Sequence, residues 1–273
     1  MIKRVFFVVI SVIFVLESCA VKKEAASVVC LETTYGKITV KLYPETSKHK
    51  ENFLKLVESG FYNGVLFHRV IADFMIQGGD PESKTAKAGA LLGSGDVGYT
   101  IPAEFVYPKY YHKRGALSAA REGDGVNPLK SSSGCQFYIV EGKTFSDEEL
   151  NIMEKGKKQK LEGRLFQTIV DAKQGVIHKY QQERNQAKLT ELNDSIMSAI
   201  QLKLKTDSTY KFTPQQRNDY KTIGGTPHLD GAYTVFGEVI SGMDVVEKIS
   251  LVTVDSNNRP IQDIRVVKAV IVK

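Results

Sequence analysis

The side chains best suited to chemistry cluster in one stretch, Phe67-His68-Arg69-Val70-Ile71-Ala72-Asp73-Phe74-Met75-Ile76-Gln77-Gly78-Gly79-Asp80. Arg69 supplies a permanently charged guanidinium with five directed donors, which suits it to stabilising an electron pair that appears on a reacting atom. Standing alone, such an arginine reads most simply as the structural partner of a carboxylate. Other chemistries have little to stand on. The 5 histidines show no metal-ligand spacing, so neither a metal nor another cofactor is expected. No Lys-Ser/Thr follows Gly78-Gly79, which therefore makes no phosphate loop. Lys and Arg number 37 against 31 Asp and Glu, without a block of six like charges, so a nucleic-acid partner is not indicated.

The elements that must hold these side chains are mostly β. In a chain of 273 residues, 42% of them hydrophobic, 13 Phe and 12 Tyr can fill a core, and disorder is excluded. Val28–Thr33 and Lys37–Leu42 read as strands around a Tyr35-Gly36 turn, the second in strict alternation. Pro44–Ser59 reads as a helix that buries Phe53, Leu56 and Val57 and stops at Gly60. Further strands are predicted within 64–80 and at Gly115–Ala120, Gln136–Val140, Tyr233–Val239 and Ile264–Val272, with a short helix at Met243–Ile249. Many short strands, few helices and glycine punctuation predict a mainly β fold, a closed antiparallel barrel. Ser146-Asp147-Glu148-Glu149 has the form of a capping box and opens an inserted helical segment over 146–219, in which Gly156, Gly163 and Gly175 weaken the helix or mark turns. Its lysines between 155 and 160 read as a solvated face. Cys30 and Cys135 read as free, buried thiols.

The first residues form a separate unit. Lys3 and Arg4 precede an apolar run from Val5 to Leu16, too short for a stable span and shaped like a secretory signal. Leu16-Glu17-Ser18-Cys19 resembles a bacterial lipobox, apart from its Glu17. On that resemblance residues 1–18 are a signal peptide and Cys19 is the lipid-attachment site. Residues 19–27 are then a lipidated tether, and the expected location is an outer membrane, facing the periplasm. Two or more acyl chains anchor stably where one does not.

The stretch from Phe67 to Asp80 resembles the cyclophilin signature, F-H-R followed by F-M-x-Q-G-G-D at the same spacing. Gly93-Ser94-Gly95, Gly98 to Phe105, His112 with Gly115 to Ser118, Gln136 to Ile139, and Leu229-Asp230-Gly231 with Val235-Phe236-Gly237 look like further cyclophilin blocks, in cyclophilin order. The resemblance covers about 28–145 and 220–272, so the barrel is assigned to 28–145 and 220–273. It implies a closed antiparallel barrel of eight strands with capping helices, acting as a peptidyl-prolyl cis/trans isomerase on X–Pro bonds of exported, unfolded proteins. It further implies that Arg69 is catalytic and that Gln77 positions it. Phe74, Met75, Tyr138 and Leu229 would wall a proline pocket, with Phe137 beside them. Ala120 and Arg121 would hold the peptide through backbone groups, His68 would stand at the rim, and Tyr233 would contact the prolyl region. Tyr138 stands where many cyclophilins have Phe, Arg121 replaces a frequent Asn, Tyr233 a frequent His, and His228 a Trp of eukaryotic members.

These residue types suit such a reaction. Rotating the bond means losing amide resonance, a barrier of ~18–20 kcal/mol. No bond breaks, so a donor to the prolyl nitrogen, which regains its lone pair in the twisted state, replaces any nucleophile or metal. A ten-thousand-fold gain requires only ~5.5 kcal/mol of preference for that state. The alternative is a non-catalytic proline-peptide binding module or chaperone on the same fold. The insertion is expected to be an arm dispensable for chemistry, either binding clients or partners or merely covering the barrel.

Overall fold

Short strands of alternating polarity pair in sequence-distant order into one sheet. The computed structural model describes residues 27–272; the signal segment and Cys19 lie outside them. In chain order the elements are β1 (Val28–Thr33), β2 (Gly36–Leu42), α1 (Ser47–Glu58), β3 (Phe67–Ile71), β4 (Met75–Gly78), β5 (Thr100–Ile101), β6 (Ala116–Ala119), β7 (Ser132–Ser133) and β8 (Phe137–Val140). Then come α2 (Asp147–Ala172), α3 (Gln174–Gln182), α4 (Gln186–Thr206), α5 (Pro214–Thr222), β9 (Val235–Ser241), α6 (Met243–Ser250) and β10 (Val266–Ile271). Eight strands pair antiparallel in the order β10-β1-β2-β9-β6-β8-β4-β3, while β5 and β7 form a separate two-stranded ribbon.

The predicted closed barrel is instead a curled, open sheet. β10 is committed along its length to β1 and meets only the approach to β3, through the Leu66–Arg265 bridge and backbone bonds at Gly64, Phe67 and Val266. The concave interior is filled by Leu31, Ile38, Val40, Val70, Ile76, Leu117, Ile139 and Phe236, with Phe53, Leu56 and Val57 of α1 and Val245, Val246 and Ile249 of α6 packed among them. Both helices therefore bury their apolar stripe in the same core as the strands.

Gly79 carries the turn out of β4 at a φ of +99°, and a Cβ there would stand 2.2 Å from the Cys135 carbonyl oxygen. Only glycine lets the end of β4 approach the start of β8 this closely. Cys30 and Cys135 are buried and unpaired.

The inserted helices are tied into the body at their base. Ser146 Oγ accepts from Glu149 N–H at 3.1 Å and Ser146 N–H donates to Glu149 Oε2 at 2.8 Å, completing the predicted capping box. Leu150 then packs with Phe145, Phe212 and Tyr220, so the expected boundary at 146 falls inside a hydrophobic cluster. Arg217 of α5 bonds Asp147 and Glu154 of α2 across the same junction. Farther out, Ile196, Ile200 and Leu204 of α4 meet Leu161, Leu165 and Ile169 of α2. That pairing carries α2 through Gly156 and Gly163, and the break comes at Lys173; tertiary burial outweighs a glycine penalty of about 1 kcal/mol each.

Gly79→Ala combines strain at positive φ with a backbone clash, and is expected to lower stability by on the order of 2–4 kcal/mol. Urea denaturation measures it, and an unchanged midpoint would contradict the close approach.

Candidate active site

Because side chains alternate across a strand, the strands that fill the interior also build an outer face. On β8, Phe137 and Ile139 point inward while Tyr138 and Val140 join Met75 of β4, Ala116 of β6 and Val235 of β9 in a second cluster. Arg69 reaches this outer face by an irregularity. Phe67 pairs with Gly78 and Arg69 with Gln77, which leaves His68 as the extra residue of a bulge. In a regular pleat without the bulge, the alternation that sends Phe67 inward would send Arg69 inward too.

Arg69, Phe74, Met75, Gln77, Ala120, Arg121, Tyr138, Leu229 and Tyr233 surround a cavity of about 100 Å³. All nine were singled out in the sequence, and the fold brings them together from five separate segments. Two other expectations are corrected. Phe137 is an interior residue, 1% exposed and edge-on to Phe53, Tyr62 and Phe67, because the pleat turns it away from its neighbour Tyr138. His68 is buried, at 3% exposure, and lines no part of the cavity, because the bulge gives the outward position to Arg69.

Arg69 is oriented by a row of carboxamides. Its Nη1 donates to Gln77 Oε1 at 3.2 Å, Gln77 Nε2 donates to Gln136 Oε1 at 3.0 Å, and Gln136 Nε2 donates to the Gly93 and Gly95 carbonyls at 2.9 and 2.8 Å. The fully buried Asp80 fixes that glycine loop by accepting from the Gly93 and Gly95 N–H groups. Among the described residues Arg69 has no ion-pair partner, so the structural-arginine reading does not hold, and its remaining donors are free to face the cavity.

Arg121 behaves otherwise. Its guanidinium stacks 4.3 Å from the Tyr233 ring centroid, donates from Nε to the Ala232 carbonyl at 2.9 Å and pairs with Asp124 at 2.7 Å. Its backbone N–H and carbonyl find no partner among the described residues, whereas Ala120 N–H donates to the Gln136 carbonyl and the Ala120 carbonyl accepts from Ser133 N–H. Of the two residues expected to hold a peptide through backbone, Arg121 is the one with both groups free. Gln77, Ala120 and Arg121 also line a neighbouring cleft of about 630 Å³, whose rim carries the exposed Val126 and Leu129. His228 stacks on Phe74 at 5.5 Å and supports the pocket from outside.

Sequence reasoning assigned no role to Gln136, Asp80, His112, Asp230 or Lys157. Gln136 was within reach, since it sits two residues from Tyr138 and so shares its face. His112 lies beneath the pocket floor, its Nε2 3.0 Å from the Tyr138 hydroxyl and its Nδ1 3.1 Å from Asp230 Oδ1.

A family model described as cyclophilin type peptidyl-prolyl cis-trans isomerase/CLD matches residues 28–153 and 170–271. A Staphylococcus aureus protein provisionally named a peptidyl-prolyl cis-trans isomerase is 30% identical over 237 residues, covering 86% of this chain and 87% of its own. A Staphylococcus epidermidis protein of the same name is 29% identical over 238 residues with the same coverage. Among solved structures, a cyclophilin type peptidyl-prolyl cis-trans isomerase of Cryptosporidium parvum gives a TM-score of 0.52 at 22% identity, covering 91% of this chain and 99% of its own. A structure of that protein in the presence of the dipeptide Ala-Pro gives 0.51. At 22% identity the structural likeness is one of fold.

Burial pushes the His68 imidazole down to about 4 from 6.5, and the nearby Arg69 charge acts in the same direction. The unfolded chain takes up that proton first, so stability is intact above about pH 6.5 and falls as the pH drops toward 4. The full loss across that window is on the order of 3 kcal/mol. Urea titrations at pH 7 and pH 4.5 are expected to show a smaller loss in His68→Gln than in the parent; equal losses would mean that the ring is not held neutral.

Proposed function

The chain belongs to the cyclophilin-type peptidyl-prolyl cis-trans isomerases, and we propose that it rotates X–Pro bonds of exported proteins at the pocket between Arg69 and Tyr138, tethered to a membrane by lipid on Cys19. The observation that carries the site is a guanidinium without a carboxylate partner, held by Gln77 at the mouth of a small, mainly apolar cavity. A prolyl ring entering against Phe74, Met75, Tyr138 and Leu229 would bring its ring nitrogen to the Arg69 side of the cavity. Planar, that nitrogen accepts no hydrogen bond. Twisted, it does, so the Arg69 donor binds the transition state more strongly than either ground state. The free Arg121 backbone groups would hold the flanking peptide in an extended conformation while the bond turns. The adjoining cleft gives the residues before the proline somewhere to run. A related structure determined in the presence of Ala-Pro supports proline-containing peptides as ligands.

Export rests on Lys3, Arg4, the apolar run from Val5 to Leu16 and the lipobox-like Leu16 to Cys19. The substrates are accordingly unfolded proteins that have crossed a membrane, with an outer membrane facing the periplasm as the proposed location.

Arg69→Ala is expected to lower kcat/KM on a proline tetrapeptide by about 10²–10³-fold. Arg69→Lys is expected to restore little, because a point charge lacks the directed fork. Turnover unchanged in Arg69→Ala would refute the mechanism, and binding without turnover in the parent would favour a non-catalytic module. For the anchor, Cys19→Ala is expected to abolish labelling by radioactive fatty acid and leave an uncleaved precursor. Equal labelling of parent and variant would place the lipid elsewhere.

A further inference from the structure

One lysine of the 155–160 run is turned mostly away from solvent. Lys157, on α2, points inward with its ammonium 4.0 Å from the Phe212 ring centroid and 3.8 Å from Asp230 Oδ2. Asp230 exposes none of its side chain. Its Oδ2 also accepts from the Tyr220 hydroxyl at 2.8 Å, and its Oδ1 accepts from the His112 backbone N–H at 2.9 Å. The same Oδ1 takes the His112 Nδ1–H, 3.1 Å away. A carboxylate has only acceptors, so His112 donates from Nδ1, and in the neutral ring Nε2 is then the acceptor. The Tyr138 hydroxyl, 3.0 Å from Nε2, is the donor that completes the row. Its ring then lies on the floor of the 100 Å³ cavity, 6.1 Å from that of Tyr233 and nearly perpendicular to it.

We propose that the inserted helices are a positioning element of the isomerase site: Lys157 holds Asp230, Asp230 sets the tautomer and angle of His112, and His112 pins the Tyr138 ring that floors the proline pocket. Lys157 lies in the segment 154–169 that the family match passes over, so this input comes from the insertion itself. The Tyr138 hydroxyl is what makes the coupling possible, because a phenylalanine there would offer His112 nothing to hold. Tyr220, on α5 at the foot of the insertion, holds the carboxylate from a second side. Removing Lys157 leaves a buried carboxylate short of its countercharge, which is costly, and any shift of Asp230 that lessens the cost also displaces His112. The pocket floor then loses its fixed angle. This inference rests on the pocket being the reaction site.

The test is a double-mutant cycle on the full chain, with Lys157→Met, which keeps the stem and removes the charge, and Tyr138→Phe, which removes the hydroxyl. Steady-state kcat and KM are read separately on a proline tetrapeptide. Lys157→Met is expected to lower kcat/KM about three- to tenfold, the range of one lost hydrogen bond, with Lys157→Arg recovering most of it. In a Tyr138→Phe background the same change is expected to have almost no effect, since the end of the row is already cut. Effects that multiply independently, or a Lys157→Met enzyme as active as the parent, would overturn the proposal. Tyr220→Phe, which removes one neutral donor from Asp230 and leaves every charge in place, runs through the same cycle if Lys157→Met does not fold. Arg69→Ala is the control: if it leaves turnover intact the site reading fails, whereas if it abolishes turnover while the cycle is additive, only the positioning role fails.

Discussion

The two-residue repeat of a pleated strand governs the rest of this structure. Phe137 and Tyr138 are adjacent in sequence, yet one packs among Phe53, Tyr62 and Phe67 while the other floors the outer pocket. Met75 and Ile76 divide in the same way on β4, as do Val235 and Phe236 on β9. Core and pocket thus share one backbone, and the pocket inherits the stiffness of a close-packed interior. A shift of the backbone beneath the floor therefore also moves the inward neighbours packed in the core.

This constraint also explains what could be read from the sequence. Phe74, Met75, Tyr138 and Leu229 were legible because they stand in ordered blocks that resemble those of cyclophilins, and it is that resemblance which assigns them to one site. Phe137 and His68 were misassigned although they lie in the same blocks. Within a strand adjacent residues take opposite faces, so a block match that names both Phe137 and Tyr138 misplaces one of them, and the bulge that lets Arg69 point outward is a backbone irregularity with no residue signature of its own. The barrel was read as closed because short alternating strands cannot reveal whether the first and last of them pair along their lengths. Lys157 was hidden more thoroughly. It belongs to a run of lysines whose other members carry an ordinary solvated face, and its partner Asp230 is 73 positions away, in a different block.

The helical insertion illustrates how a protein can add material to a settled fold. Its outer half has its own small core, built from α2 and α4, and touches nothing that concerns the pocket. Its base does the opposite, sharing Leu150, Phe212 and Tyr220 with Phe145 of the body. Glycines that would break an isolated helix are tolerated because the packing is supplied from outside the local sequence. The division at residue 146, drawn from the capping box and helical spacing, runs through this shared cluster.

The carboxamide row beside Arg69 has a consequence of a different sort. An amide presents an acceptor at one end and donors at the other, so a row of them has a direction. The Gly93 and Gly95 carbonyls, held by Asp80, occupy both N–H bonds of Gln136 and so turn its oxygen toward Gln77, whose own oxygen must then face the guanidinium. Reversing any single member would set N–H against N–H or oxygen against oxygen at its neighbour. Turning every amide together would fail at both ends, with N–H against the guanidinium and oxygen against the glycine carbonyls, so the row has a single setting. Part of what aims the Arg69 guanidinium is therefore fixed at a glycine loop remote from the reacting bond.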